Sequence, residues 1–270
     1  MNKKFQLPPP WHKDAKWICG IFLFLLLVPT LFSLNLTLIT SEENATEIGA
    51  TLIASAFSRN GLDDETEFKQ IKPQVLKNGS VQPIPGLKIF ITKKDLEGGS
   101  PRQLRINFFK KFTEPLYREG ADGLLKLATD PAMKKNIKES IAPLLFFTKT
   151  THDIIFKIFM GLAVITILLL AFFVYFSKGF GRLINPAIIF IIINIPWPFF
   201  ALIANYNVKN PLTAPEGGAT DILNAAISNT LPLISPIINS VNGTLFFTGI
   251  GLIITAVMGK MVLRFTKTKI

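Results

Sequence analysis

WICGIFLFLLLVPTLFSLNLTLITS, residues 17–41, holds 25 consecutive positions without a charged side chain. At about 1.5 Å of rise per residue, a helix of that length crosses the ~30 Å hydrocarbon core of a bilayer. The stretch therefore reads as a membrane span. A basic N-terminus precedes it, as one precedes a secretory signal, but the run exceeds the roughly 7–15 residues of a signal core and no A-x-A-like cleavage site follows. It is expected to be an uncleaved anchor, with residues 1–16 a cytoplasmic basic tail and 17–39 the first span.

Three further apolar runs lie downstream. Residues 158–177 are uncharged and rich in Ile, Leu and Phe. The turn Lys178-Gly179-Phe180-Gly181-Arg182 leads from them into a third uncharged run, of which 183–206 is assigned as a span. Residues 222–259 are uncharged over 38 positions, too many for one perpendicular crossing. Asn224, Ser228, Asn229, Pro232, Ser235, Pro236 and Asn239 dot their first half, which suits a surface or re-entrant helix after a loop, over 207–242. Residues 243–263 make the cleaner fourth span, and one long helix through both is the other arrangement the pattern allows. The expected fold is an all-α integral membrane protein with four transmembrane helices and a mostly helical extracytoplasmic domain at 40–157, some helices extending beyond the bilayer.

Charge orients this layout. The chain carries a net +11, which invites a nucleic-acid reading, and its mean hydropathy is +0.40. Ten of its 29 Lys and Arg residues sit in three short segments beside apolar runs: Lys3, Lys4, Lys13 and Lys16, then Lys178 and Arg182, then Lys260, Arg264, Lys267 and Lys269. The segment 40–157 has 18 basic against 15 acidic residues, a mixed surface and not a basic patch. Nucleic acid is excluded as a partner on that ground. Four spans place all three basic segments on one side, so the positive-inside rule puts both termini and the 178–182 turn in the cytoplasm of a cell membrane, with 264–270 the C-terminal tail. The partners expected are the lipid bilayer and another membrane or envelope protein; oligomeric state is not legible. Scarce cysteine and abundant lysine point to a prokaryotic source. The only cysteine, Cys19, lies in the first run, so the outer segment has no internal disulfide and must hold together by apolar packing.

Within that segment, Thr40-Ser41-Glu42-Glu43 predicts a capping box opening a helix to about Phe57, with Ile48, Leu52, Ile53 and Ala56 on one side. Asn60-Gly61 would end it. Pro73, Pro83, Pro85, Asn78-Gly79 and Gly98-Gly99 predict mostly turns up to residue 99, with one short strand over 87–92. Ser100-Pro101 and Asp130-Pro131 each set a capping side chain before a proline suited to a first helical turn, so two helices are expected there. The second, with Ile137, Ile141, Leu144, Leu145 and Thr148 on one face and Pro143 as a kink, is expected to run directly into the second span. The layout looks like that of tetraspanins and claudins, but the cysteines that define their outer loops are missing, so neither family is implied.

Chemistry-bearing patterns are scarce. No HExxH, GxSxG, P-loop, GxGxxG or CxxC is present. His12 and His152 read as interfacial polar residues, and the acidic run Asp63-Asp64-Glu65 as a solvated helix end. No catalytic residue, cofactor site or metal ligand is assigned, and an enzyme is not expected. Two groups of residues stand out in the spans. Asn185, Asn194, Pro196 and Pro198 interrupt the third, as kink formers or as a ligand site of a broken helix. Thr248, Gly251, Thr255 and Gly259 share a face of the fourth and predict a helix-packing surface. The function expected is that of a non-enzymatic envelope scaffold, sensor or assembly partner acting through its outer domain; a transporter or channel subunit using the third span is the alternative.

Overall fold

The computed structural model describes residues 11–58, 61–96, 99–196, 206 and 219–267. About 84% of them are helical. The chain divides into two compact units, one of Met1–Asn35, Phe156–Leu202 and Ile238–Ile270, the other of Leu36–Ile155 with Ile203–Ile237.

The first unit is built from long apolar helices. Helix α1 covers Trp11–Ile39, with Pro29 inside it. Its buried positions, Leu23, Leu27, Thr30 and Ser33, recur at three and four residues, while Trp17, Phe22, Leu25 and Phe32 are exposed. Helix α7 (Lys149–Phe176) shows the same division, with Thr166 and Phe173 buried and Ile167 and Phe172 exposed. Water would penalise such continuous apolar exposure, and lipid does not. The buried hydroxyls of Thr30 and Thr166 meet at 2.8 Å, a bond between the two helices of the kind that holds membrane segments together. Helix α8 (Gly181–Asn194) follows the turn in which Gly179 adopts φ +49. Helix α9 is a single element of 49 residues, Ala219–Lys267, through Pro232 and Pro236. The expected boundary near 242 is thus not a helix end, and one long helix is the arrangement adopted.

Among the described residues, three helices are long and apolar enough to cross a membrane: Trp11–Ile39, Lys149–Phe176 and the Asn224–Arg264 part of α9. The chain is a helical protein of membrane-embedded type. Helix α8 is apolar too, but its 14 residues span only about 21 Å, less than the hydrocarbon core. Residues 197–205 of the expected third span, including Trp197 and Pro198, lie outside the described residues.

The second unit contains the helical domain. Helix α2 is Glu42–Phe57, as its start signal predicts, but the capping box does not form. Thr40 and Ser41 are the only residues between α1 and α2, and their hydroxyls turn back, donating to Leu36 O at 2.8 Å and Leu38 O at 2.8 Å. They close the preceding helix instead of opening the next. Ile48 and Ile53 are buried as expected; Leu52 is half-buried and Ala56 is exposed, because the packed face runs through the small residues Ala45, Gly49, Ala50 and Ala54. That face lies on helix α4 (Pro101–Glu119) so closely that a Cβ at Gly49 would meet Thr113 Cγ2 at 3.3 Å. Thr113 in turn donates its hydroxyl to Thr46 O at 2.9 Å.

The predicted caps at Ser100 and Asp130 are present. Ser100 Oγ accepts from Gln103 N at 3.3 Å, and Asp130 Oδ1 accepts from Ala132 N at 3.0 Å to open α6 (Pro131–Ser140). Between them α5 (Ala121–Leu127) packs back on α4, where a Cβ at Gly123 would collide with the Pro115 carbonyl oxygen.

Three expectations are corrected here. The stretch before residue 99 is not only turns: helix α3, Thr66–Asn78, carries Pro73 in its interior. Asp64 Oδ1 accepts from Thr66 N at 3.0 Å and from its hydroxyl at 2.6 Å, so the acidic run is indeed a helix start. The expected strand shrinks to β2 (Ile91–Thr92), antiparallel to β1 (Ser80–Val81), with Leu87 bridging separately to Ala128. Nor does the helix after Pro131 continue into the second span. It stops at Ser140, a 3-10 segment covers Ala142–Phe147, and Thr148 is extended before α7 begins. Pro143, which has no N–H to donate, falls at the start of that segment, so it marks a break where the sequence suggested a kink.

Candidate functional site

The core of the helical domain is a cluster of Leu87, Ile89, Leu116, Leu124, Ala128, Ile137 and Ile141. It is not filled to its surface. A cavity of about 450 Å³ opens beside it. Helix α2 contributes Ile53 and Phe57, one turn apart. Helix α4 contributes Phe108, Phe109 and Phe112. Helix α6 presents Met133, Asn136 and Ile137, and Leu144 of the 3-10 segment completes that wall. The small residues on α2 bring the helices together near Gly49; one and two turns further on, the larger Ile53 and Phe57 hold a wall in place. Phe57 and Phe109 stack with ring centroids 5.8 Å apart, and Phe108 meets Phe109 edge-on at 5.1 Å. Phe57 is 67% exposed, an aromatic ring left open to the surroundings at the rim. A second cavity of about 160 Å³ shares Phe57, Ile84, Phe108 and Phe109 with the first.

Polar groups are sparse in the larger cavity. Among the described residues that line it, Asn136 is the one polar side chain and none is charged. Several charges of this unit are instead engaged around it. Lys110 pairs with Glu47 at 3.0 Å and Arg118 with Glu42 at 2.7 Å, both fastening α4 to α2. Lys111 reaches Asp95 at 2.6 Å, and the same carboxylate oxygen accepts from Thr92 N and its hydroxyl at 2.7 Å each. Burial pushes the Asp95 carboxyl up, but the bonds from Lys111 and Thr92 outweigh it and hold the group below the usual carboxylate range. Arg105, buried at the smaller cavity, donates to the carbonyl oxygens of Gly61 and Asp64. Tyr117, also buried, has its phenol pushed up by desolvation and by the carboxylates of Glu42 and Asp153. His152 Nδ1 lies 3.2 Å from the Thr40 hydroxyl. Among the described residues no group of three or more His, Cys, Asp or Glu side chains is placed to hold a metal ion.

The residues singled out in the spans lie in the other unit. Asn185 donates its amide to Ser177 Oγ at 2.9 Å, and Arg182 Nε donates to Ser177 O at 3.2 Å, so the two side chains tie α8 to the end of α7. Asn194 is 2% exposed and donates to Phe190 O at 2.8 Å within its own helix. Pro196 is exposed, and Pro198 lies outside the described residues. Of the two glycines in the proposed packing stripe on α9, Gly259 meets a neighbour among the described residues: a Cβ there would come within 2.7 Å of Phe180 Cε1. Gly251 faces open space. Thr248 and Thr255 are exposed, their hydroxyls bonded back to Thr244 O and Gly251 O at 2.7 and 2.8 Å. The face in contact is one residue over, with Ala256 fully buried and Gly249 set where a Cβ would sit 2.9 Å from Ile191 Cγ1 and 3.0 Å from Ala187 O.

Of the cavity wall, Ile53, Phe57, Ile137, Ile141 and Leu144 are legible in the sequence only as helix-face positions, and Phe108, Phe109 and Phe112 are not singled out there. The one signal was the spacing of Phe108, Phe109 and Phe112, which marks an apolar face on α4 but is the same whether that face packs or lines a void. Comparison of the chain with protein-family models, with curated proteins and with solved structures finds no match in any of the three.

Proposed function

We propose that this is a non-enzymatic protein of the cell membrane, acting as a sensor, scaffold or assembly partner by binding through the aromatic-walled cavity of its helical domain. In this reading four helices cross the bilayer, the run 183–206 being the third. The domain at 40–157 stands outside the cytoplasm, and both chain ends and the 178–182 turn lie within it. The observation that carries the binding role is the cavity itself. A half-enclosed, apolar hollow with one polar group on its wall and an exposed aromatic ring at its rim is what a ligand site looks like before its ligand arrives.

The side chains that would have served a transporter favour this reading over the alternative. Asn185 and Asn194 spend their amides on Ser177 Oγ and Phe190 O, holding a hairpin and a helix. Replacing Phe109 by a benzoylphenylalanine in the full chain and irradiating native membranes tests the proposal. A discrete adduct is expected at that position, and a chain that stays unmodified there removes the binding role.

A further inference from the structure

We infer that the cavity of the helical domain holds a single long aliphatic chain, that of a fatty acid or of one acyl tail of a membrane phospholipid. This assigns a ligand class to the binding role proposed above and rests on it. The walls select against polar solutes. Among the described lining residues the side chains are aliphatic, aromatic or thioether with the exception of Asn136, so an ion or a sugar would leave its hydration without replacement, whereas methylenes enter at a gain. Asn136 is exposed, which sets its amide at the rim, where the carboxylate or ester of such a molecule would need a hydrogen-bond partner.

Volume selects further. About 450 Å³ falls in the ~300–1,000 Å³ range of small-molecule sites. A partner helix, about 10–12 Å across with its side chains, does not enter such a space; it would insert a side chain or two and leave the rest of the hollow empty. A flexible chain adapts to such a hollow without that mismatch.

Supply is the third consideration. The domain is joined at both ends to helices long and apolar enough to cross a membrane: α1 ends at Ile39, three positions before α2, and α7 begins at Lys149, five positions after the wall residue Leu144. Aliphatic chains are the apolar solute that a protein so anchored meets at the highest concentration.

The test uses the full-length protein in its own membranes. Cells are fed palmitic acid bearing a terminal diazirine, irradiated, and the purified protein is digested and mapped. Adducts are expected on peptides covering residues 108–112 and 133–141, and their mass separates free fatty acid from phospholipid as the source. Met133→Trp, which fills the hollow, is expected to reduce those adducts tenfold or more while adducts on α1 persist. Wild-type adducts confined to α1, α7 and α9 overturn the inference, whatever the variant does. If the photo-reactive residue at Phe109 traps a protein and no lipid, the aliphatic ligand is wrong and the binding role survives; no adduct by either probe ends both.

Discussion

Arg105 shows how single residues hold the helical domain in shape. Its buried guanidinium donates to two carbonyl oxygens, those of Gly61 and Asp64, and so fixes the connection between α2 and α3 against α4. Bonds from a charged donor contribute more than neutral ones, and a truncation leaves both carbonyls short of a partner. Arg105→Ala is therefore expected to lower the unfolding free energy by about 1.5–3 kcal/mol, measured by urea titration of the full chain in mild detergent, with hydrogen exchange at residues 61–66 accelerating first. Unchanged exchange there would show that the guanidinium does not hold the loop. Its role was not legible in advance, because the partners are 44 and 41 positions away in the chain. Ser100 and Asp130 were legible for the opposite reason: each bonds an N–H two or three residues on, so local sequence contains the whole interaction.

At the scale of elements, apolar pattern located the long helices and gave the spacing of their faces, but not always the phase. Consecutive residues on a helix differ by about 100° around its axis, and α9 offers two adjacent rows of small residues. Thr248, Gly251, Thr255 and Gly259 form the row a periodicity argument finds; Gly249 and Ala256 mark the one in contact, and of the first row Gly259 also meets a neighbour, Phe180. The two rows behave differently on substitution. Gly249→Leu is expected to lower the unfolding midpoint, at a cost of about 1–3 kcal/mol from forced overpacking against Ile191 and the Ala187 carbonyl, while Gly251→Leu leaves the midpoint unchanged. Equal effects at the two positions would mean that both rows are packed. Helix α3 escaped notice because it carries Pro73, a helix-breaking signal, in its interior, while Asn78-Gly79, read as one more turn, is where it ends. The break at 141–148 escaped because a 3-10 segment keeps an apolar spacing close to that of the helix it interrupts.

Across the whole molecule, the most legible property was membrane embedding, since long uncharged runs have one economical destination. The helical content and the three membrane-length helices agree with it. The cavity was illegible for a general reason: sequence records which residues are apolar, and a packed core and a lined hollow use the same ones. Sidedness rests on the basic residues flanking the runs, and it is the claim on which an outward-facing binding domain depends. The decisive measurement is labelling of single cysteines, introduced as Lys88→Cys or Lys178→Cys in a Cys19→Ala background, with a membrane-impermeant maleimide; both lysines are exposed. The account predicts that position 88 reacts in intact cells and that position 178 reacts only after permeabilisation. Labelling of 178 in intact cells, or protection of 88 until the membrane is opened, would contradict it.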